Sequence, residues 1–156
     1  VPKPVYTCWI IAPFKEILDI PAVAGRIFAE NCDPTMIELM DSSTIDVCSR
    51  YLETEIQFSD LHQLLVRFDR NTREELEKIS MKIGQLCIDN GAQDVLFANT
   101  KQKQDKIWKI RSSIHDAIVN MKKCICEEDV VVPVSAVSEM IKRLHLLAYL
   151  VQSLCH

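Results

Sequence analysis

One arginine in this chain sits where a charge is hard to keep. If residues 101–121 are helical, Ile107, Arg111, Ile114, Ile118 and Met121 fall at i, i+4, i+7, i+11 and i+14, a single helical face. A guanidinium does not lose its proton. On an apolar face Arg111 must therefore reach water along its stem, pair with a carboxylate, or receive an anionic ligand. Glu127, Glu128 and Asp129 follow closely and are candidate partners for a structural ion pair. As a planar fork of donors, the same side chain would also suit a small carboxylate ligand.

Other chemistry-bearing residues give weaker signals. The seven cysteines, Cys8, Cys32, Cys48, Cys87, Cys124, Cys126 and Cys155, are odd in number and irregularly spaced, which argues against a disulfide framework. Cys8, Cys48 and Cys87 lie inside predicted elements and read as small buried hydrophobes. Cys124-Ile125-Cys126 lacks the second ligand pair that a structural zinc site needs, so no metal is expected. Glu38 and Asp41 are three apart on a predicted strand and face opposite sides, which excludes a paired-carboxylate acid/base device there.

The elements that position these residues alternate between strand and helix. Val5–Pro13 is apolar on both faces and reads as a covered strand. Asp19 is placed to cap a helix with Pro21 in its first turn, running to about Glu30. Pro34–Met40 reads as a strand, and Ser42–Leu52 as a helix that Asp41 caps. Leu64, Val66 and Phe68 alternate on the next strand, with Gln63 and Arg67 on its other face. Thr72-Arg73-Glu74-Glu75 is a capping box opening a helix whose stripe is Leu76, Ile79, Ile83, Leu86 and Cys87, and Asn90-Gly91 offers its left-handed stop. Val95–Ala98 is a short strand, and Thr100 or Asp105 opens the arginine helix. Val130–Val132 is expected to be the last strand, followed by a helix capped by Ser135 that buries Val137, Met140, Ile141, Leu144 and Ala148.

Taken together, Val1-Pro2-Lys3-Pro4, Ile37-Glu38-Leu39-Met40-Asp41, Trp108-Lys109-Ile110-Arg111 and Glu128-Asp129-Val130-Val131-Val132-Pro133 resemble, in order and spacing, the C-terminal cap domain of the FAD-linked oxidases. This is the glycolate oxidase and D-lactate dehydrogenase family of the vanillyl-alcohol oxidase superfamily, and the likeness runs from about Val1 to about Ala148. Alternation alone favours a parallel α/β sheet. The resemblance implies instead an α+β, ferredoxin-like cap with a largely antiparallel sheet and helices on one face.

The resemblance also implies a function. Residues 1–156 would be part of the substrate-binding cap of an FAD-dependent 2-hydroxy-acid oxidoreductase. FAD would be bound mainly by an N-terminal flavin domain in cis, of which this chain has no counterpart. The start at Val1 suggests an excised piece or a processed product, inactive alone. Arg111 matches the family's substrate-carboxylate arginine. His115, one turn on, falls where some relatives carry a polar substrate-side residue, and equally suits a partly buried structural histidine. Glu38 reads as a surface or flavin-side contact. Glu127 stands near where the hydroxyglutarate enzymes have a lysine, a departure that points to glycolate or D-lactate rather than a dicarboxylate. The family's histidine-rich segment would begin near His156. Trp108 is expected in the core or at the seam with the flavin domain. An iron–sulfur protein is a further partner the resemblance allows.

Composition fits one ordinary domain. A chain of 156 residues can bury roughly 68–70% of its unfolded surface. With 18 basic and 22 acidic residues, net charge −4, there is no electrostatic footprint for nucleic acid or an anionic membrane. No apolar run approaches the ~20 residues of a transmembrane helix, and a cytoplasmic location is expected. A different reading of the same residues is a stand-alone ferredoxin-like module that binds a small anion or takes part in assembly, with Arg111 as the anion site.

Overall fold

Strand β1 (Tyr6–Phe14) is buried on both sides, and the sheet is built around it. The structure is a computed structural model that describes residues 5–121 and 128–154. Val1–Pro4, Cys124, Cys126, Glu127, Cys155 and His156 lie outside the described residues, as do the expectations that rest on them.

After β1 come α1 (Asp19–Ala29), β2 (Met36–Met40), α2 (Ser42–Tyr51), β3 (His62–Arg70), α3 (Arg73–Asp89) and β4 (Leu96–Ala98). Helices α4 (Lys101–Ser112) and α5 (Ile114–Met121) follow, then a 3-10 turn at Val134–Ala136 and α6 (Val137–Leu154). The strands form one sheet in the order β2-β3-β1-β4, with every neighbouring pair antiparallel. Two split crossovers, β1-α1-β2 and β3-α3-β4, give this order, which is that of a ferredoxin-like plait with α2 inserted between its halves. The α+β antiparallel fold is therefore the one expected.

One part of that expectation needs correcting: the helices do not keep to one face. Cys8, Ile10, Ala12 and Phe14 of β1 and Leu64, Val66 and Phe68 of β3 pack with Ile20, Val23 and Ile27 of α1 and Ile83 and Cys87 of α3. Trp9 and Leu65, on the opposite side, pack with Ile45 and Cys48 of α2, Ile107 of α4 and Ala117 of α5. The cause lies in the central strands, which are apolar on both faces and so need cover on both.

Local signals set the starts of α2, α3 and α4. Asp41 Oδ1 accepts the Thr44 N–H at 2.7 Å, Thr72 Oγ1 accepts the Glu75 N–H at 3.2 Å, and Thr100 Oγ1 accepts that of Lys103 at 3.4 Å. Gly91, at φ +99°, ends α3 in the left-handed region. Helix α1 differs: Asp19 is its first residue, Leu18 stands at the cap, and no side chain bonds there.

Asp41 also carries a pH prediction. Burial pushes its carboxyl up, but hydrogen bonds from Thr44 and Ser43 and the nearby charge of His62 outweigh this, and the pKa ends below its ordinary value. A lowered folded pKa means the stabilisation is complete above the unfolded value of about 3.9 and is lost as pH falls through the folded one. Asp41→Asn is expected to remove that part of the acid limb of a stability–pH curve measured by urea unfolding.

Two further expectations fail. Residues 128–133 form no strand: Val131 is 96% exposed and Val130 61%. Three valines in a row have the propensity, but a strand also needs a partner, and these residues pair with none of the described strands. Helix α6 starts at Val137 rather than being capped by Ser135, and it is not buried along its apolar side. Val137, Met140 and Ile141 are half-buried, whereas Leu144, Ala148 and Leu150 are exposed.

Candidate functional site

The helix that carries Arg111 is broken just after it. Ser113 Oγ donates to the Ile110 carbonyl at 2.8 Å, a side-chain bond that competes with the helical ladder, and α4 ends there with α5 starting at Ile114. The single helix expected over 101–121 is thus two. Ile107 anchors α4 on the sheet, while Arg111 lies a turn further on at the edge of the buried surface.

Among the described residues Arg111 pairs with neither Glu128 nor Asp129. Its partner is Glu38 on β2, 73 residues away: Nε donates to Oε1 and Oε2 at 3.1 Å each and Nη2 to Oε1 at 2.8 Å. These bonds raise the arginine's already high pKa further. Nη1 is not among the atoms bound to Glu38, and the Arg111 side chain keeps 38% of its surface exposed against 26% for Glu38. The fork is thus gripped on one edge and open to solvent.

The group extends across the sheet through aromatic rings. Arg111 Cζ lies 5.2 Å from the ring centre of Trp108. Trp108 meets Trp9 edge-to-face, with centroids 6.4 Å apart at 69°, and Arg67 Cζ lies 5.8 Å from the Trp9 ring. Arg67 in turn donates from Nε and Nη2 to Asp69 Oδ1 at 3.2 and 3.1 Å, and Thr7 Oγ1 donates to the same oxygen at 2.5 Å. Strand register makes this possible: Trp9 pairs with Arg67, and Glu38 with Leu65. Trp108 is 50% exposed, so it sits at the rim of the core rather than in it.

His115 is exposed on α5, beyond the Ser113 break. The bonds and ring contact of Arg111 go to Glu38 and Trp108, so the structure does not join the two expected substrate residues. Trp9 and Arg67 are members of the group that sequence reasoning missed. Glu38 carries a sequence signal only as a surface or flavin-side contact, not as the partner of Arg111.

All three glycines are described: Gly25 and Gly84 lie within α1 and α3, and Gly91 ends α3, so none forms a glycine-rich turn able to cradle a pyrophosphate. The arginine and half-exposed tryptophan suit contact with a small anion or with one face of a flat ring.

The cysteines Cys8, Cys32, Cys48 and Cys87 are free and buried. Burial pushes the Cys87 thiol up to about 12 and raises those of Cys8 and Cys48 as well. Iodoacetamide at pH 8 is expected to leave Cys87 unmodified in the native protein and to label it after unfolding, as peptide mass mapping would read. Among the described residues no helix is long and apolar enough to cross a membrane.

Residues 3–148 match the family model for the FAD linked oxidases, C-terminal domain. The chain is 26% identical over 147 residues to the D-lactate dehydrogenase of Anaerostipes hadrus, covering 90% of this chain and 31% of that protein. It is also 26% identical over 145 residues to glycolate oxidase subunit GlcD of Bacillus subtilis (strain 168), covering 93% of this chain and 31% of that protein. The chain thus spans about a third of the length of these curated relatives. A solved alkyldihydroxyacetonephosphate synthase superposes with a TM-score of 0.52 at 12% identity, over 77% of this chain and 26% of that one, and supports the fold alone. With nearly its whole length matched by the family model and its sheet of the expected kind, the chain belongs to the C-terminal domain family of the FAD linked oxidases.

Proposed function

We propose that this domain is the substrate-side cap of an FAD-dependent 2-hydroxy-acid oxidoreductase that acts on glycolate or D-lactate, with Arg111 taking up the substrate carboxylate. The observation that carries the proposal is the state of Arg111. It is held at a fixed angle by Glu38 on Nε and Nη2, and it remains open to solvent. A pre-oriented fork needs little reordering when a carboxylate arrives, which favours binding and positions C2 of the acid. The names of the two relatives support the substrate class.

FAD supplies the two-electron chemistry when bound. The flavin is assigned mainly to another part of the protein, in cis. Arg111 binds and orients the acid, with the Trp108 ring stacked against its guanidinium. His115 has a minor place at the edge of the site, and His115→Ala is expected to change kcat/KM far less than Arg111→Ala. An iron–sulfur partner protein and a cytoplasmic setting complete the proposal.

The test is anaerobic addition of glycolate, D-lactate and D-2-hydroxyglutarate to the flavin-containing protein. Bleaching of the flavin by a monocarboxylate, with little by the dicarboxylate, is the expected result. Bleaching by none of the three would overturn the proposal.

A further inference from the structure

On the same face of the sheet as Trp9, but lined by neither Arg111 nor Trp108, is a cavity of about 600 Å³. Its volume falls in the range of small-molecule sites, roughly 300–1,000 Å³. Leu65, Ala98 and Ile107, all buried side chains, form its apolar floor. One wall is a loop that a buried polar group holds in place. Gln63, 4% exposed, donates from Nε2 to the carbonyls of Gln57 and Phe58 at 3.1 and 3.2 Å. Phe58 sits at φ +57°, a conformation unfavourable for a phenylalanine, and Ile56 tucks into the core beside it. An amide is costly to bury on a strand face, and its two bonds here tie this wall to β3.

The mouth is cationic. Lys103 and Lys106 lie three residues apart on α4 and line the cavity together. Their neighbour Lys101 is neutralised by Asp105 at 2.6 Å, but neither Lys103 nor Lys106 enters an ion pair among the described residues. Two exposed lysines with no ion pair among the described residues, on the lining of a largely apolar chamber, complement a molecule with an apolar body and one anionic end. A two- or three-carbon hydroxy acid would leave most of the chamber empty, so this site is separate from the one assigned to Arg111.

We infer that this cavity binds an amphipathic anion, an apolar chain or ring ending in a carboxylate or phosphate, with its body on Leu65, Ala98 and Ile107 and its charge between Lys103 and Lys106. Because Ile107 is one turn before Arg111, an occupant would also bear on the helix that sets the arginine's position.

Titration calorimetry on the purified protein tests this with octanoate, octyl phosphate, butanoate and 1-octanol. Octanoate or octyl phosphate should bind at one site, the tighter of the two identifying the head group, while butanoate and 1-octanol bind far more weakly. The exposed double change Lys103→Glu/Lys106→Glu should weaken the anion about tenfold with the thermal midpoint unchanged. Leu96→Trp, at a half-buried position of the lining on the edge strand, should abolish binding by filling the chamber. Failure of both anions to bind, equal binding of 1-octanol, or binding that survives both variants would each overturn the inference. None of these outcomes bears on flavin reduction by a 2-hydroxy acid, so the two proposals fail separately.

Discussion

Arg111→Ala is expected to lower kcat/KM for the 2-hydroxy acid about 10- to 150-fold in the flavin-containing protein. That range is the loss of charge-assisted hydrogen bonds worth about 1.5–3 kcal/mol, at 1.36 kcal/mol per tenfold in rate. The change also leaves Glu38 without its partner, so some stability is lost, and steady-state kinetics must be read on protein shown to be folded. Guanidinium added to the Arg111→Ala variant is expected to restore part of the activity, because the missing group is then supplied from solution. Glu38→Gln keeps a hydrogen-bond acceptor but not the charge, and should cost less. If Arg111 were only the structural half of an ion pair, folded Arg111→Ala protein would retain its kcat/KM and guanidinium would do nothing.

Phe68→Ala carries the largest expected effect on stability. Phe68 is fully buried on β3, opposite Cys8 of β1, on the face covered by α1 and α3. Removing a buried phenylalanine costs about 3–5 kcal/mol in lost transfer energy and cavity formation, which for a domain of this size lowers the thermal midpoint by roughly 6–20 °C. Val131→Ala is the contrast: at 96% exposure it should lie within about 0.5 kcal/mol of the parent. Calorimetric melts of the two variants would separate them, and equal midpoints would contradict the placement of Phe68 in the core.

What could be read from sequence divides along the length scale of the interaction. Asp41, Thr72, Thr100 and Gly91 mark helix ends because a cap is satisfied within three or four residues, and the structure keeps each of them. The strong strands β1 and β3 are legible from their apolar runs, and β1 in particular already shows that both sheet faces need cover. The valines at 130–132 give the same kind of signal and mislead, since propensity says nothing of whether an edge is near. The break at Ser113 is hidden because it comes from one hydroxyl bonding back to Ile110, with no proline or glycine to mark it.

The site itself is half legible. Arg111 stands out because a permanent charge on an apolar helix face demands a partner, and the nearest carboxylates in sequence are the natural candidates. The true partner, Glu38, depends on how β2 pairs with β3 and how α4 crosses the sheet, neither of which local pattern encodes. Trp9 and Arg67 join for the same reason: they are cross-strand neighbours. Gln63, Lys103 and Lys106 look like ordinary polar residues until the loop at 52–61 and the start of α4 are placed against each other.

The central claim is that this domain serves a flavoenzyme, and one measurement bears on it most directly. The native protein would be captured from its source with an antibody raised against this domain, and its intact mass and visible absorption spectrum recorded. A chain about three times this length, as the 31% coverage of the relatives suggests, carrying a yellow flavin chromophore that a 2-hydroxy acid bleaches, is the predicted result. A colourless protein that takes up no FAD would contradict the account.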